Sequence, residues 1–458
     1  MKTKSALIIA TVIFSLSPLI YGQCPEICDG NENTALGQSA LINNNTGLRN
    51  TGLGYQALQD NDSGNSNTAA GVQALTNNLS GNGNTAVGYV ALLNNTIGQN
   101  NTAAGVAALA DNSSGDSNTA LGYQALRKNS VGLFNTATGF GALFSNTGGS
   151  SNTANGVQAL YSNDEGVSNT AIGFNALYFN AGGDLNTASG YNALNSNTTG
   201  DRNTASGSDA LSRNTTGRDN TAMGQTALTL NTTGIQNTAS GTSALQQNTT
   251  GSNNIAVGYY AGSVLTTGSN NIDIGSRGRA GEANTIRIGN SNQTNTYITG
   301  INGVTVAGGI GVIVDSTGHL GTSTSSARYK DEIKPMDKAS EAILSLQPVT
   351  FRYKKDLDPK AIPQFGLVAE QVEKVNPELV ARDEDGNPYS VRYEAVNAML
   401  LNEFLKEHRK NEAQQATIEK QEKRIDTLEL ALKKQIIQIE KIAAELRSSQ
   451  ANTKLADN

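Results

Sequence analysis

Ser325 and Lys330 stand five residues apart in the segment Ser325-Ser326-Ala327-Arg328-Tyr329-Lys330, which continues into Asp331-Glu332-Ile333. A serine hydroxyl becomes a nucleophile when a base takes its proton. Lysine serves as that base when desolvation or a neighbouring cation lowers its pKa. Arg328 is such a cation, so the segment spells a Ser–Lys dyad; the same spacing also describes a solvated lysine beside a loop serine. The remaining inventory excludes most other chemistry. Two histidines, His319 and His408, cannot build a multi-histidine metal centre, and Cys24 and Cys28 cannot make a disulfide framework or a four-thiolate zinc site. No cofactor is called for, and a net charge of −6 over 458 residues gives no nucleic-acid footprint.

The dyad sits where the chain changes character. Residues 33–275 hold 6 basic and 11 acidic side chains, whereas residues 325–458 hold 22 and 23. A charged, helix-containing domain therefore begins near 325, after a β-rich junction over 276–324. Within it, Asp337 to Leu346 reads as an amphipathic helix and Val349 to Tyr353 as a strand. Phe365 to Val375 reads as a second helix ended by Asn376-Pro377. Leu379–Arg382 and Tyr389–Arg392 flank Asp383-Glu384-Asp385-Gly386-Asn387, a hairpin signal. From about 394 to 447 the chain reads as one long helix, and 448–458 as a disordered tail. Ile418, Ile425, Leu432, Ile439 and Leu446 at a, with Gln421, Leu428, Gln435 and Ile442 at d, form a coiled-coil seam that demands a partner.

Upstream, self-similarity dominates. Asn recurs every 17 residues from Asn33 to Asn271, fifteen times without insertion or deletion, in the unit N-T-A-x-G-x-x-A-L-x-x-N-x-x-G-x-x. Two Gly and two Asn per unit are turn residues. The unit reads as two short strands and two tight turns, stacked coil on coil about 4.8 Å apart, a rod of about 70 Å. Asn amides can pair along such a ladder. The expected core is two Ala, one Leu and the variable residue after the first Gly (Tyr55, Val72, Tyr89, Val106, Phe140). That core is poor, and packing against sister chains would enrich it. Calcium-binding repeats need Asp in register, whereas Asp60, Asp116, Asp164, Asp209 and Asp219 fall out of it; a Thr ladder from Thr34 onward is the pattern of an ice-binding face, although Thr beside Asn also has a purely structural use.

Residues 1–22 read as an export signal: Lys2 and Lys4 precede a stretch from Ala6 to Ile20 that is short for a membrane span. Cleavage is expected after Gly22, and Gln23 before Cys24 disfavours a lipoprotein. The mature chain is then secreted or held at the cell surface, without a membrane span of its own. Cys24 and Cys28 would meet an oxidising compartment, either bridged or as idle thiols.

Two resemblances add to this reading. The Asn-Thr-Ala-x-Gly units resemble the head repeats of trimeric autotransporter adhesins, which form left-handed β-rolls, although those repeats are nearer fourteen residues. The segment from Ser325 to about Glu412 resembles the intramolecular chaperone domain of endosialidases and phage tail fibres. Ser325-x-x-Arg328-x-Lys330 matches its start, and Gln347-Pro348-Val349-Thr350-Phe351-Arg352-Tyr353, Phe365-Gly366-Leu367-Val368-Ala369-Glu370-Gln371-Val372, Pro377-Glu378-Leu379-Val380 and Val391-Arg392-Tyr393 follow in order. Glu370-Gln371 departs from the Gln-Glu of many relatives. The resemblance implies that residues 325–393 trimerise, guide the preceding fibre into register, and cut themselves off. Ser325 would attack the carbonyl of Thr324, Lys330 would take the proton, and Arg328 would support it.

The expected fold is thus a mainly β repeat solenoid, as a trimeric β-roll-like fibre, then a small α+β domain ending in a long coiled-coil helix. The expected function is an exported homotrimeric fibre that sheds its chaperone by single-turnover autoproteolysis. The alternative is an uncleaved trimeric adhesin or structural fibre whose C-terminal domain only trimerises it. An unidentified surface glycan or host protein is a further candidate partner, and an enzyme acting on other molecules has no recurring nucleophile–base set to support it.

Overall fold

The 17-residue repeat closes one turn of a β-solenoid. The computed structural model describes residues 27–456, in two units that divide between Tyr297 and Ile298. The export segment and Cys24 lie outside the described residues. In the first unit a two-residue strand β1 (Ile27–Cys28) lies antiparallel on β2 (Thr34–Leu36). Then β2 to β16 (Ile272–Ile274), one three-residue strand per repeat, form a parallel in-register ladder in which Thr34 pairs with Thr51 and Thr51 with Thr68. A further strand, β17 (Ile286–Ile288), joins after the repeat has ended, so Asp273 stands opposite Arg287.

Each coil has one strand, where two were expected. The Ala-Leu side is bonded from coil to coil, as Leu58 N to Ala74 O at 3.0 Å. Its backbone cannot be extended, because the Leu of each Ala-Leu pair, from Leu41 to Leu245, has a φ between 50° and 54°. The left-handed region costs a non-glycine residue about 1–2 kcal/mol. Full burial of the Leu of each pair from Leu58 to Leu245 returns about 1.5–3 kcal/mol, so the side chain outweighs the strain it sits in.

The core also differs from expectation. Tyr55, Val72, Tyr89, Val106 and Phe140 are exposed, because the Gly before each turns the chain and aims them outward. Their place inside is taken by asparagine. Asn67 and Asn78 are typical: both are 0% exposed, and both donate to Gly81 O, at 2.8 and 2.9 Å. Asn67 Oδ1 accepts from Asn84 N at 2.9 Å, and Asn78 Nδ2 donates to Asn61 Oδ1 at 2.6 Å. Two amide ladders therefore run beside the Ala and Leu columns, each buried amide satisfied by the next coil. The two glycines follow from this closeness. A Cβ on Gly71, whose φ is 146°, would lie 2.4 Å from Gly88 O, and one on Gly64 would lie 2.4 Å from Asn61 Oδ1.

The ends of the ladder are built differently. Asp29 stands in for a preceding coil, accepting from Asn33 N at 3.0 Å and from Asn33 Nδ2 at 2.9 Å. Its bond to the Asn33 side chain, then that to the Asn33 backbone, holds its carboxyl below the usual range. At the other end Leu265 occupies the place of the next Asn, and Asn248 Oδ1 is left without a donor.

The second unit contains a hairpin of β18 (Val312–Val314) and β19 (Leu320–Thr322), and a 3-10 segment Asp337–Ser345 where an α-helix was expected. Next, β20 (Val349–Phe351) pairs with β21 (Gln364–Gly366). The expected helix at Phe365 starts later, as α1 (Ala369–Val375), because Phe365 and Gly366 extend into that pairing. A Cβ on Gly366 would meet the Tyr393 hydroxyl at 2.9 Å, so β21 needs glycine there. The hairpin β22 (Val380–Arg382) and β23 (Pro388–Val391) follows, then α2 (Tyr393–Ala456). α2 runs beyond Arg447 into the expected tail because no Gly or Pro lies between Ser448 and Ala456 to stop it. Val372, Leu379, Val380, Val391 and Met399 form the buried core of this unit. No helix among the described residues is long and apolar enough to cross a membrane.

Candidate functional site

The strand β19 delivers the chain to Thr324 and Ser325, and a single 3-10 turn at Ala327–Tyr329 then folds it back. Tyr329 N donates to Ser326 O at 3.0 Å and Lys330 N to Ala327 O at 3.1 Å. That turn returns Lys330 toward the serine, and Lys330 Nζ lies 3.2 Å from Ser325 Oγ as a hydrogen-bond donor. The two residues predicted from spacing are thus in contact. Arg328 turns instead onto the ring of Tyr329, its guanidinium carbon 4.8 Å from the ring centroid.

The site is open. Thr324, Ser325, Arg328 and Lys330 are all exposed, and the neighbouring Lys334 pairs with Glu332 at 3.2 Å. A lysine donating to the hydroxyl must first lose a proton to act as its base, and removal from water is what favours that loss. Among the described residues nothing covers Lys330. Its chain neighbours are open too: Tyr329 is 61% exposed and Ile333 67%.

A second serine–lysine contact escaped sequence reasoning, since its partners are 66 residues apart. Ser340 is completely buried and donates to Glu403 Oε1 at 2.5 Å. Its oxygen accepts from Asn402 Nδ2 at 2.7 Å and from Lys406 Nζ at 3.3 Å. Lys406 also pairs with Glu403 at 2.7 Å. Its bond to Lys406, then that from Ser340, holds the Glu403 carboxyl below the usual range. With its proton given away and both lone pairs engaged, Ser340 is a pin that fastens α2 to the 3-10 segment and has no capacity left to attack. No local spacing signals it.

Among the described residues no group of three or more His, Cys, Asp or Glu is placed to hold a metal ion. Residues 325–381 match a peptidase family described as chaperone of endosialidase, and the match opens on Ser325 itself. No curated protein and no solved structure matches the chain.

Proposed function

We propose that the chain is exported and assembles as a homotrimeric fibre, with residues 325–393 acting as an intramolecular chaperone that sets trimer and register and then releases itself at Thr324–Ser325. The observation that carries this reading is the 3.2 Å contact between Ser325 Oγ and Lys330 Nζ at the first residues of the family match. Ser325 Oγ attacks the Thr324 carbonyl carbon while neutral Lys330 takes the hydroxyl proton. The C–N bond breaks, the Ser325 nitrogen receives that proton, and water hydrolyses the resulting ester. The reaction runs once per chain and needs no substrate pocket. Lys330 gains its basicity when a sister chain covers it, which couples cutting to assembly. The seam of α2 supplies a reason to assemble: Ile418, Leu432 and Ile439 are 45%, 58% and 65% exposed in the single chain.

The test is the mass of the expressed chain. Cleavage yields a C-terminal fragment of 458 − 324 = 134 residues beginning at Ser325. It disappears in Ser325→Ala and in Lys330→Ala while the trimer persists. An intact wild-type chain that is trimeric overturns cleavage and leaves the uncut structural fibre or adhesin in its place.

A further inference from the structure

Each strand of the solenoid turns its central residue inward and its two flanking residues outward, and the position after the following Gly also points out. Three outward columns result: the Thr34 column, the Leu36 column and the column through Tyr55. The last two hold eighteen large apolar side chains between Leu36 and Ile274, each between 39% and 73% exposed. Leu53, Tyr89, Leu121, Phe140, Ile172 and Tyr191 are representative. No position of the three columns carries a charge in any coil. The charges of the repeats stand on the other sides, as Arg49, Asp60, Lys128, Glu165, Asp184 and Arg218 do. Among the described strands of the solenoid, buried Asp273 is the one acid, and it points inward.

At roughly 70 Å² exposed on each side chain, this face presents on the order of 1,200 Å² of apolar surface. A monomer's largest patch is about 300–600 Å², and a stable interface needs about 800 Å² per partner. The occupant must also match a surface that repeats with every coil along the ladder. A second copy of this chain, lying parallel, has that repeat by construction. We infer that the charge-free face is the surface along which copies of the chain pack. The inference rests on the homotrimer proposed above and assigns its contact. It also places the tightest part of the contact up to Tyr191, because beyond it the same two columns carry Ser206, Ser208, Gln225, Ser240 and Thr242.

Hydroxyl-radical footprinting of the full chain, sedimented in parallel to give its mass, tests this. Phe140 and Phe179 are 49% and 51% exposed in the single chain, so they should oxidise alike if neither is covered. Packing that leaves Phe140 less than about a tenth exposed slows its oxidation about fivefold relative to Phe179, with Tyr89 and Tyr123 slowed similarly. Equal oxidation of Phe140 and Phe179 in a trimeric chain overturns the face and leaves the trimer standing. A chain that sediments as a monomer removes the trimer, and with it this inference, whatever the footprint. Protection of the face that arises only on adding a glycan or a foreign protein gives the surface to that partner and also overturns it.

Discussion

Asp273 is the place where the solenoid is most open to improvement by a single substitution. In the other coils the central residue of the strand is a small inward-facing residue, Ala in all but Gly52. Asp273 puts a carboxylate there, 1% exposed, with neither oxygen completing a hydrogen bond. Arg287 stands opposite in register yet spends its guanidinium on Glu282, at 2.7 Å. Burial first, and the charge of Glu282 second, push the Asp273 carboxyl up to about 6 from 3.8, against weaker pulls from Ser276 and Arg287. A rise of about two units corresponds to about 3 kcal/mol of destabilisation at neutral pH.

The sign is opposite to that of most carboxylates. Between pH 4 and pH 6 the folded last coil holds a proton that the unfolded chain has released, so its stability falls as pH rises through this window and is level above it. Asp273→Ala removes the charge and leaves a small void, for a net gain of about 1–2 kcal/mol at pH 7 after the void is subtracted. Amide hydrogen exchange at Ile272 and Ile286, corrected for intrinsic rates, reads the opening of this coil. In the wild type, protection should drop by roughly tenfold or more between pH 4.5 and pH 7, and in Asp273→Ala it should be flat and higher at pH 7. Protection in the wild type that holds or rises across the window, or faster exchange in the variant at pH 7, would refute the argument.

The amide ladders make an internal comparison. Asn180→Ala removes bonds to Asn163 Oδ1 and Gly183 O and takes the acceptor from Asn197, a loss of about 1–3 kcal/mol for each orphaned group, measured by urea unfolding. Asn248→Leu should cost clearly less, since its Oδ1 already lacks a donor and the next coil carries Leu265. At the other end the depressed Asp29 carboxyl stabilises the first coil above its unfolded pKa and loses that effect as pH falls through the folded one. Acid should therefore speed exchange at Asn31 and Asn33, and Asp29→Ala should do so already at pH 7. Ser340→Ala should destabilise the second unit by about 1–3 kcal/mol in urea while still releasing the fragment that begins at Ser325; loss of the fragment from a variant that still folds would overturn the purely structural role of Ser340.

The sequence was legible where local pattern and global packing ask for the same residue. The 17-residue period required a stacked coil, and Asn at fixed places required ladders, because a buried amide must find its partner in the next turn. The second strand was not legible: alternation of small and apolar residues looks extended, and only coordinates reveal Leu58 at a φ of 52°. The outward aim of Tyr55 was hidden for the same reason, since Gly54 at a φ of 132° resets which side the next residue faces. In the second unit the dyad was legible because a five-residue spacing is closed by one 3-10 turn. Ser340, Asn402 and Lys406 were not, because their contact is made by the docking of α2.

The outward columns bear on why such a fibre would need a folding device at all. From Tyr55 to Tyr123 the column after the Gly alternates Tyr, Val, Tyr, Val, Tyr. If copies pack along this face, a slip of one coil sets Tyr against the place shaped for Val and is penalised by misfit, about 1–3 kcal/mol for each overpacked site. A slip of two coils restores large against large and small against small over the same stretch. The buried Asn, Ala and Leu are alike in neighbouring coils and discriminate nothing, and the backbone ladder is closed within each chain. Within the column after the Gly, what distinguishes the correct alignment from a two-coil slip is therefore confined to the unequal stretch from Phe140 on; beyond it there are only the mismatches of the Leu36 column, as Leu36 against Ala70, and the special ends at Asp29 and Asp273. A slipped assembly leaves two coils of apolar face uncovered and still keeps most of its contact, so it is a trap that forms readily and leaves slowly. Aligning the chains at one end before the coils close avoids it, and the trimerising role proposed for the domain that begins at Ser325 would do that. In the homotrimer proposed above, the contact between closed coils would then hold the alignment and make the aligner dispensable, which is the condition under which the proposed cut at Ser325 would cost the fibre nothing.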